Sequence, residues 1–212
     1  MAAMDIAVDL TESFLRLAGY LTLTEFEVQQ HVGAGRYETV TDIDILGVRF
    51  PGADTLAEQY KGPEADMLLL DDPGLRLEED RVDVIIGEVK QGPAEFNPGL
   101  KKRGVLESVL RRLEWLYGES CLHVVNQLLR KGVSYSPGRG ELGRIRTRLV
   151  AFGRSPRNDL HTISLDHMIG AMTSYFSKHE DALRPIQFRD PVPALLRLML
   201  KTGMEIGGPE RE

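Results

Sequence analysis

Apolar and polar residues alternate along this chain in patterns that predict both helices and strands. Apolar side chains repeated at helical spacing mark five segments. Helices are predicted over residues 5–21, 103–117, 120–130, 165–182 and 191–203. Alternation with a period of two, or a short continuous apolar run, predicts strands instead. Strands are predicted over residues 23–31, 38–50, 82–90, 142–152 and 160–164.

The order of these elements predicts one α/β domain. The first two strands are expected to form an antiparallel hairpin, because Gly33-Ala34-Gly35 between them is typical of a tight turn. Residues 51–81 carry three Pro/Gly pairs and are predicted to form an insertion, with an extra strand at 67–70. No linker divides the remainder. We therefore expect a single domain over 1–206 and a disordered tail at 207–212.

Charged residues at the end of the predicted strand 82–90 are the most informative feature of the pattern. Glu88 and Lys90 end an apolar run, and residues two apart on a strand point to the same face. Charged groups are rarely placed on a buried strand unless they are paired or bind a metal. Asp44 lies on the predicted strand 38–50. If these strands are neighbours, two carboxylates and one ammonium converge, as a divalent-metal site for phosphodiester hydrolysis requires.

Composition limits the class of protein. The chain of 212 residues is 42% hydrophobic, which is enough for one well-packed core. A single cysteine, Cys121, excludes a disulfide framework and fits a reducing compartment. No apolar run is long enough to span a membrane, and the first residues do not resemble a signal peptide. A cytoplasmic protein without a membrane partner is therefore expected.

Charge is distributed unevenly between the two halves of the chain. Residues 1–100 carry 7 Lys and Arg against 20 Asp and Glu, whereas residues 101–212 carry 19 against 12. The formal net charge of −6 thus combines an acidic half with a basic half, as in proteins that bind polyanions. Arg144 and Arg146 alternate on the predicted strand 142–152 and are candidates for contacts with phosphate. Ordinary surface solvation explains the asymmetry equally well.

The ordered set of motifs resembles the PD-(D/E)xK nuclease superfamily, which includes many restriction endonucleases and Holliday junction resolvases. The resemblance covers roughly residues 9–165. Thr11 to Tyr20 is similar to the first helix of these nucleases, the segment around Asp44 to their second motif, and Gly87-Glu88-Val89-Lys90 to their third. It implies a restriction-endonuclease-like mixed central sheet flanked by helices, with extra C-terminal helices. A competing alignment places Asp66 at the second motif.

The resemblance also implies a set of roles. Asp44, Glu88 and the backbone carbonyl of Val89 would bind Mg²⁺ or Mn²⁺, and Lys90 would act on the attacking water or the transition state. Glu12 would reach the site from the first helix. Gln91, which directly follows Lys90, and the strand residues Arg144 and Arg146 are candidates for contacts with nucleic acid, DNA being the expected substrate.

Simpler alternatives exist for the same residues. Glu88 and Lys90 would form a mutual ion pair at a strand end, and Glu12 would be a solvated helix residue favoured by the helix dipole. At the level of the whole chain, one alternative is a catalytically inactive nucleic-acid-binding or scaffold protein with the nuclease fold. Another is an interaction protein that forms a homodimer through its apolar C-terminal helix.

Overall fold

The computed structural model describes residues 5–52, 68–156 and 160–204. Within these ranges the chain forms six α-helices and six β-strands. The helices are α1 Ile6–Leu17, α2 Arg103–Arg111, α3 Cys121–Lys131, α4 Leu165–Lys178, α5 Glu180–Leu183 and α6 Pro191–Lys201. The strands are β1 Leu21–Gly33, β2 Arg36–Arg49, β3 Arg81–Val89, β4 Val133–Pro137, β5 Arg144–Gly153 and β6 His161–Ser164.

The strands form one mixed sheet in the order β1-β2-β3-β5-β4. β1, β2 and β3 pair antiparallel, and β3 and β5 pair parallel. β4 pairs with the first half of β5, and β6 with its second half. Ala34 and Gly35 at the β1–β2 turn have φ angles of 48° and 72°, the backbone that a two-residue hairpin turn requires. The predicted hairpin is confirmed.

Helices cover both faces of the sheet. On one face, α2 and α3 pack Leu106 and Val125 against apolar side chains of β3 such as Ile86. On the other face, α1, α4 and α6 pack over Ile85 of β3 and bury side chains such as Phe14. The α/β class, with a mixed sheet flanked by helices and further helices at the C-terminal end, is therefore confirmed. None of the helices in the described ranges has the length and apolar character that crossing a membrane requires.

Two predicted helices differ from the structure in their extent, and one strand was missed. The helix predicted over 103–117 stops at Arg111, and a 3₁₀ turn follows at Glu114–Leu116. The helix predicted over 165–182 is interrupted at His179, which ends α4 and precedes α5. β4 was not predicted at all, since its five residues pair only with the first half of β5 and are too few to show a clear alternation.

The predicted insertion is only partly visible. Residues 68–70 are the described part of the predicted strand 67–70. They form no strand, so the prediction is wrong for these residues. Leu70 instead donates its backbone N–H to the carbonyl of Leu17, 2.8 Å away, and so joins the end of α1. Residues 53–67, which include Asp66, and the predicted tail 207–212 lie outside the described residues.

Candidate functional site

The ends of β2 and β3 bring together the three charged side chains that the sequence analysis grouped. The register pairs Ile45 with Gly87, so Asp44 lies opposite Glu88. The backbone N–H of Val89 donates to Asp44 Oδ2 at 2.7 Å. Lys90 Nζ lies 3.7 Å from Asp44 Oδ2 and donates a hydrogen bond to Glu88 Oε1. The carboxylates of Asp44 and Glu88 and the ammonium of Lys90 thus lie close together at the end of a buried strand.

Gly87 explains how the neighbouring strands close around this point. A Cβ atom at residue 87 would lie 2.5 Å from Ile45 Cγ2 and 2.9 Å from Phe152 Cε2. Only glycine leaves room for these side chains of β2 and β5 to meet across β3. The position of Glu88 is therefore fixed by packing on both sides of its strand.

Burial dominates the electrostatics of the two carboxylates. Glu88 is 2% exposed, and its Oε2 has no hydrogen-bond partner among the described residues. Desolvation raises the pKa of the Glu88 carboxyl group, although the hydrogen bond from Lys90 opposes this. Desolvation also raises the pKa of Asp44, against the N–H of Val89 and the charge of Lys90. Both groups therefore hold their negative charge at a cost.

Lys90 is held in its charged form by the same pair. Burial by itself disfavours the ammonium, but the hydrogen bond to Glu88 and the charges of Glu88 and Asp44 outweigh it and raise the pKa of Lys90. A lysine with a raised pKa is a fixed cation at neutral pH. Its chemical use is electrostatic rather than that of a general base.

Asp5 reaches this region from the start of α1, and the sequence analysis missed it. Asp5 caps the helix through a 2.9 Å hydrogen bond from the backbone N–H of Ala7. Its Oδ1 also accepts from Gln91 Nε2 at 3.2 Å, and its charge contributes to the raised pKa of Asp44. An aspartate directly before an apolar-periodic helix is an N-cap signal, so the sequence did offer a clue.

Glu12 does not join the group, and the role expected for it is corrected by its contacts. Its Oε1 accepts from Thr22 Oγ1 at 2.9 Å and pairs with Arg16 at 3.1 Å. At about 1.5 Å of rise per residue, Glu12 lies about 10 Å along the helix from Asp5. The helix therefore presents Asp5 toward Gln91 and Asp44, and Glu12 toward the start of β1.

The loop after β3 closes the other side of the site. The backbone of Asn97 lies near the Glu88 carboxylate and acts to lower its pKa, against the larger effect of burial. Asn97 Nδ2 also lies 3.3 Å from Thr41 Oγ1 on β2. This loop ends in the basic residues Lys101 and Lys102, directly before Arg103 begins α2. Gln91 is exposed, as a contact with a bound molecule requires.

The arginines of β5 lie at the wrong end of the sheet to flank this site. In the parallel pairing, Arg144 is opposite Arg81 and Arg146 opposite Asp83, whereas Glu88 is opposite Ala151. Five residues of strand separate Asp83 from Glu88, about 16 Å at 3.3 Å per residue.

Arg146 is also buried, and its guanidinium is paired with Asp83 at 2.7 Å and with Glu78 at 2.8 Å. The expected contact of Arg146 with nucleic acid is therefore wrong. Arg144 is exposed, but it lies opposite Arg81 at the far end of β3 from Glu88.

Comparison with known proteins adds no further assignment. No family model, curated protein or solved structure matches this chain. Within the described ranges, no group of three or more His, Cys, Asp or Glu side chains is arranged to hold a metal ion. Any chemistry at this site therefore depends on Asp44, Glu88, Lys90 and their surroundings.

Proposed function

We propose that this protein is a Mg²⁺- or Mn²⁺-dependent nuclease of the PD-(D/E)xK type, acting on DNA. The observation that carries the proposal is the buried Oε2 of Glu88, which has no hydrogen-bond partner among the described residues. A second carboxylate, that of Asp44, lies nearby and accepts from the backbone N–H of Val89. Unpaired buried carboxylate oxygens are costly, and a hard divalent cation is the usual partner for two of them. A simple ion pair between Glu88 and Lys90 leaves both this oxygen and the nearby Asp44 unexplained.

The donor set fits such an ion. Mg²⁺ is usually bound through one or two carboxylates together with water and substrate phosphate, so two carboxylates are sufficient. Asp44 and Glu88 would be these ligands, with the backbone carbonyl of Val89 as a third oxygen. When bound, the ion supplies a lowered pKa of water and stabilises charge on the reacting phosphate.

Lys90 and Gln91 have separate roles in this proposal. Lys90 is a fixed cation 3.7 Å from Asp44, so its ammonium would stabilise the negative charge that develops on the phosphate oxygens. Gln91 is exposed next to Lys90 and would donate to phosphate or to the attacking water. Its present hydrogen bond to Asp5 would orient the amide for this contact.

The exposed basic residues beside the site would carry the substrate backbone. Lys101, Lys102 and Arg103 are exposed at the start of α2, directly after the loop that contacts Glu88. A cleft of about 460 Å³ between this helix and the β1–β2 hairpin is lined by Lys102 and Arg111. These groups would replace the buried Arg146 as the phosphate contacts. These residues lie in the basic half of the chain. We expect the protein to act in the cytoplasm.

Cleavage assays with matched variants test the proposal. The protein is incubated with Mg²⁺ or Mn²⁺ and a panel of linear, circular, single-stranded and branched DNA and RNA. We expect cleavage by the unmodified protein, and loss of cleavage in Asp44→Asn and Glu88→Gln. Asp181→Asn is the control, because Asp181 is 96% exposed on α5 and pairs with Arg184. Equal activity in all three variants would exclude this site.

The same variants test metal binding without activity. A ligand that binds only the folded state raises stability by about 2.7 kcal/mol at a concentration of 100 Kd. We therefore expect Mn²⁺ to raise the Tm of the unmodified protein and of Asp181→Asn, but not of Asp44→Asn. Metal and DNA binding without cleavage of any substrate would favour the catalytically inactive binding protein.

A homodimer is a second proposal with an observation of its own. Leu195 and Leu198 of α6 are 54% and 58% exposed, and Ile186 just before the helix is 46% exposed. Exposed apolar residues close together mark interaction surfaces. Light scattering should give the mass of a dimer, and the Leu195→Glu/Leu198→Glu variant the mass of a monomer. A monomeric mass for the unmodified protein contradicts the proposal.

A further inference from the structure

A second polar cavity lies toward the end of the β3–β5 pair that is opposite to Glu88. It has a volume of about 260 Å³ and opens beside the first half of β5. Its charged or titratable lining residues are Arg76, Lys131, Tyr135, Arg146, Arg148 and His161. The proposed nuclease site uses none of these residues.

The two buried arginines of the cavity share one carboxylate. Arg148 is fully engaged, since it donates to Asp83, to Tyr20 and to His161. Arg146 donates through Nε to Asp83 at 2.7 Å and through Nη1 to Glu78 at 2.8 Å. Its second amino group, Nη2, is buried and has no acceptor among the described residues. The guanidinium of Arg146, a residue that lines the cavity, therefore lacks a hydrogen-bond acceptor for Nη2.

The charges around the cavity do not balance. Four of its lining side chains are cationic, whereas the carboxylates paired with the buried arginines are Glu78 and Asp83. Arg76 and Lys131 are exposed at its rim.

His161 does not add acceptor charge. Its Nδ1 accepts from Arg148 at 2.6 Å, and its Nε2 donates to the carbonyl of Gly74 at 2.8 Å, so the ring is neutral. Burial, and then the positive charge of Arg148, lower the pKa of His161 to about 4.

From this geometry we infer that the cavity binds a phosphate-like dianion through the free Nη2 of Arg146, with Arg76 and Lys131 at the rim. Arginine forks suit the oxygens of phosphate, and such charge-assisted hydrogen bonds are the strong ones. A dianion matches the excess of two positive charges and supplies the acceptor that Nη2 lacks. Its source is either free inorganic phosphate or the phosphate monoester of a small metabolite.

Calorimetric titration of the full chain with inorganic phosphate tests the inference, in EDTA and at constant ionic strength. We expect saturable binding, and a similar titration with ribose 5-phosphate separates a free ion from a monoester. In the Arg76→Gln/Lys131→Gln variant, affinity should fall by about tenfold or more, since two charge-assisted contacts are lost. Both residues are exposed, so the variant should keep the Tm of the unmodified protein in the absence of phosphate.

Two control variants decide where the anion binds. Arg130→Gln removes the same charge from the residue next to Lys131 on α3, outside the cavity lining, and should bind phosphate normally. Lys102→Gln removes a cation from the other cleft and should also bind normally. Absence of binding to the unmodified protein would overturn the inference. So would an equal loss of affinity in either control.

Discussion

At the scale of single residues, Glu88 and Asp44 are expected to lower the stability of the fold. Their pKa values are raised above ordinary values of 4.5 and 3.8, so their folded states favour the neutral form. Such groups contribute stability that is complete below the ordinary pKa and is lost as the pH rises through the raised pKa. Function at this site would therefore be bought with stability near neutral pH.

A denaturation series over pH checks this expectation. The Asp44→Asn/Glu88→Gln variant should gain free energy of unfolding relative to the unmodified protein as the pH rises from about 4 to 7. Urea titrations of both proteins at each pH give this difference. A difference that is constant with pH, or that falls as the pH rises, contradicts the assignment of strained carboxylates.

Lys90 should matter for the reaction and little for the fold. The Lys90→Ala variant is expected to fold normally and to lose cleavage by about 10²–10³ in rate, because one electrostatic group in a transition state commonly supplies that much. Single-turnover rates and circular dichroism measure the two properties separately. Full turnover would remove Lys90 from the mechanism, and an unfolded variant would instead favour its role as an ion-pair partner of Glu88.

At the scale of elements, the joining of β2, β3 and β5 at Gly87 should be intolerant of any added atom. Gly87→Ala is expected to cost about 1–3 kcal/mol, because the new methyl group would overlap Ile45 and Phe152. Gly104→Ala on α2 is the matched control. A Cβ there meets nothing within 4 Å, and alanine favours helix by up to about 1 kcal/mol. Thermal unfolding of the two variants should give shifts of opposite sign.

Elements with a strong local pattern could be predicted from the sequence, and those set by their neighbours could not. β3 is recognisable because all but its first residue are buried, which a continuous apolar run indicates. The meeting of Asp44 with Glu88 was predicted only on the condition that their strands are neighbours, and the register of β2 and β3 in the structure supplies that condition. β4 exists only through its pairing with β5, so its own residues carry no signal.

The arginines of β5 show a second limit of sequence reasoning. Alternation correctly places Arg144 and Arg146 on one face, but it does not say which end of a neighbouring strand they meet. Parallel pairing with β3 puts them beside Asp83 rather than Glu88. Glu12 is a similar case, because the identity of the helix residue that faces a site depends on how the helix is rotated and where it begins.

At the scale of the whole molecule, the position of the basic groups predicts how affinity for the proposed DNA substrate depends on salt. The logarithm of the affinity should fall with the logarithm of salt concentration by about 0.9 for each phosphate contacted. Lys102→Ala, beside the cleft at α2, should flatten this slope by about one unit. Arg144→Ala is the control, since Arg144 is also exposed but lies opposite Arg81, at the far end of β3 from Glu88.

Filter-binding or fluorescence titrations at several salt concentrations measure both slopes. The Lys102 variant should weaken all DNA sequences alike, because contacts with phosphate position a duplex without reading it. An unchanged slope for Lys102→Ala would contradict binding of nucleic acid at the cleft beside α2. A flatter slope for Arg144→Ala alone would indicate that nucleic acid binds near the arginines of β5 instead.

The central place of β3 has a consequence for the dynamics of the protein. β2 and β5 hydrogen-bond it from both sides, so its amides should be among the slowest to exchange with deuterium and to open only when the whole domain unfolds. The strand carries Asp83 near one end and Glu88 near the other. Both sites are thus anchored in one cooperative unit, and a ligand at either end of β3 should slow exchange throughout this strand.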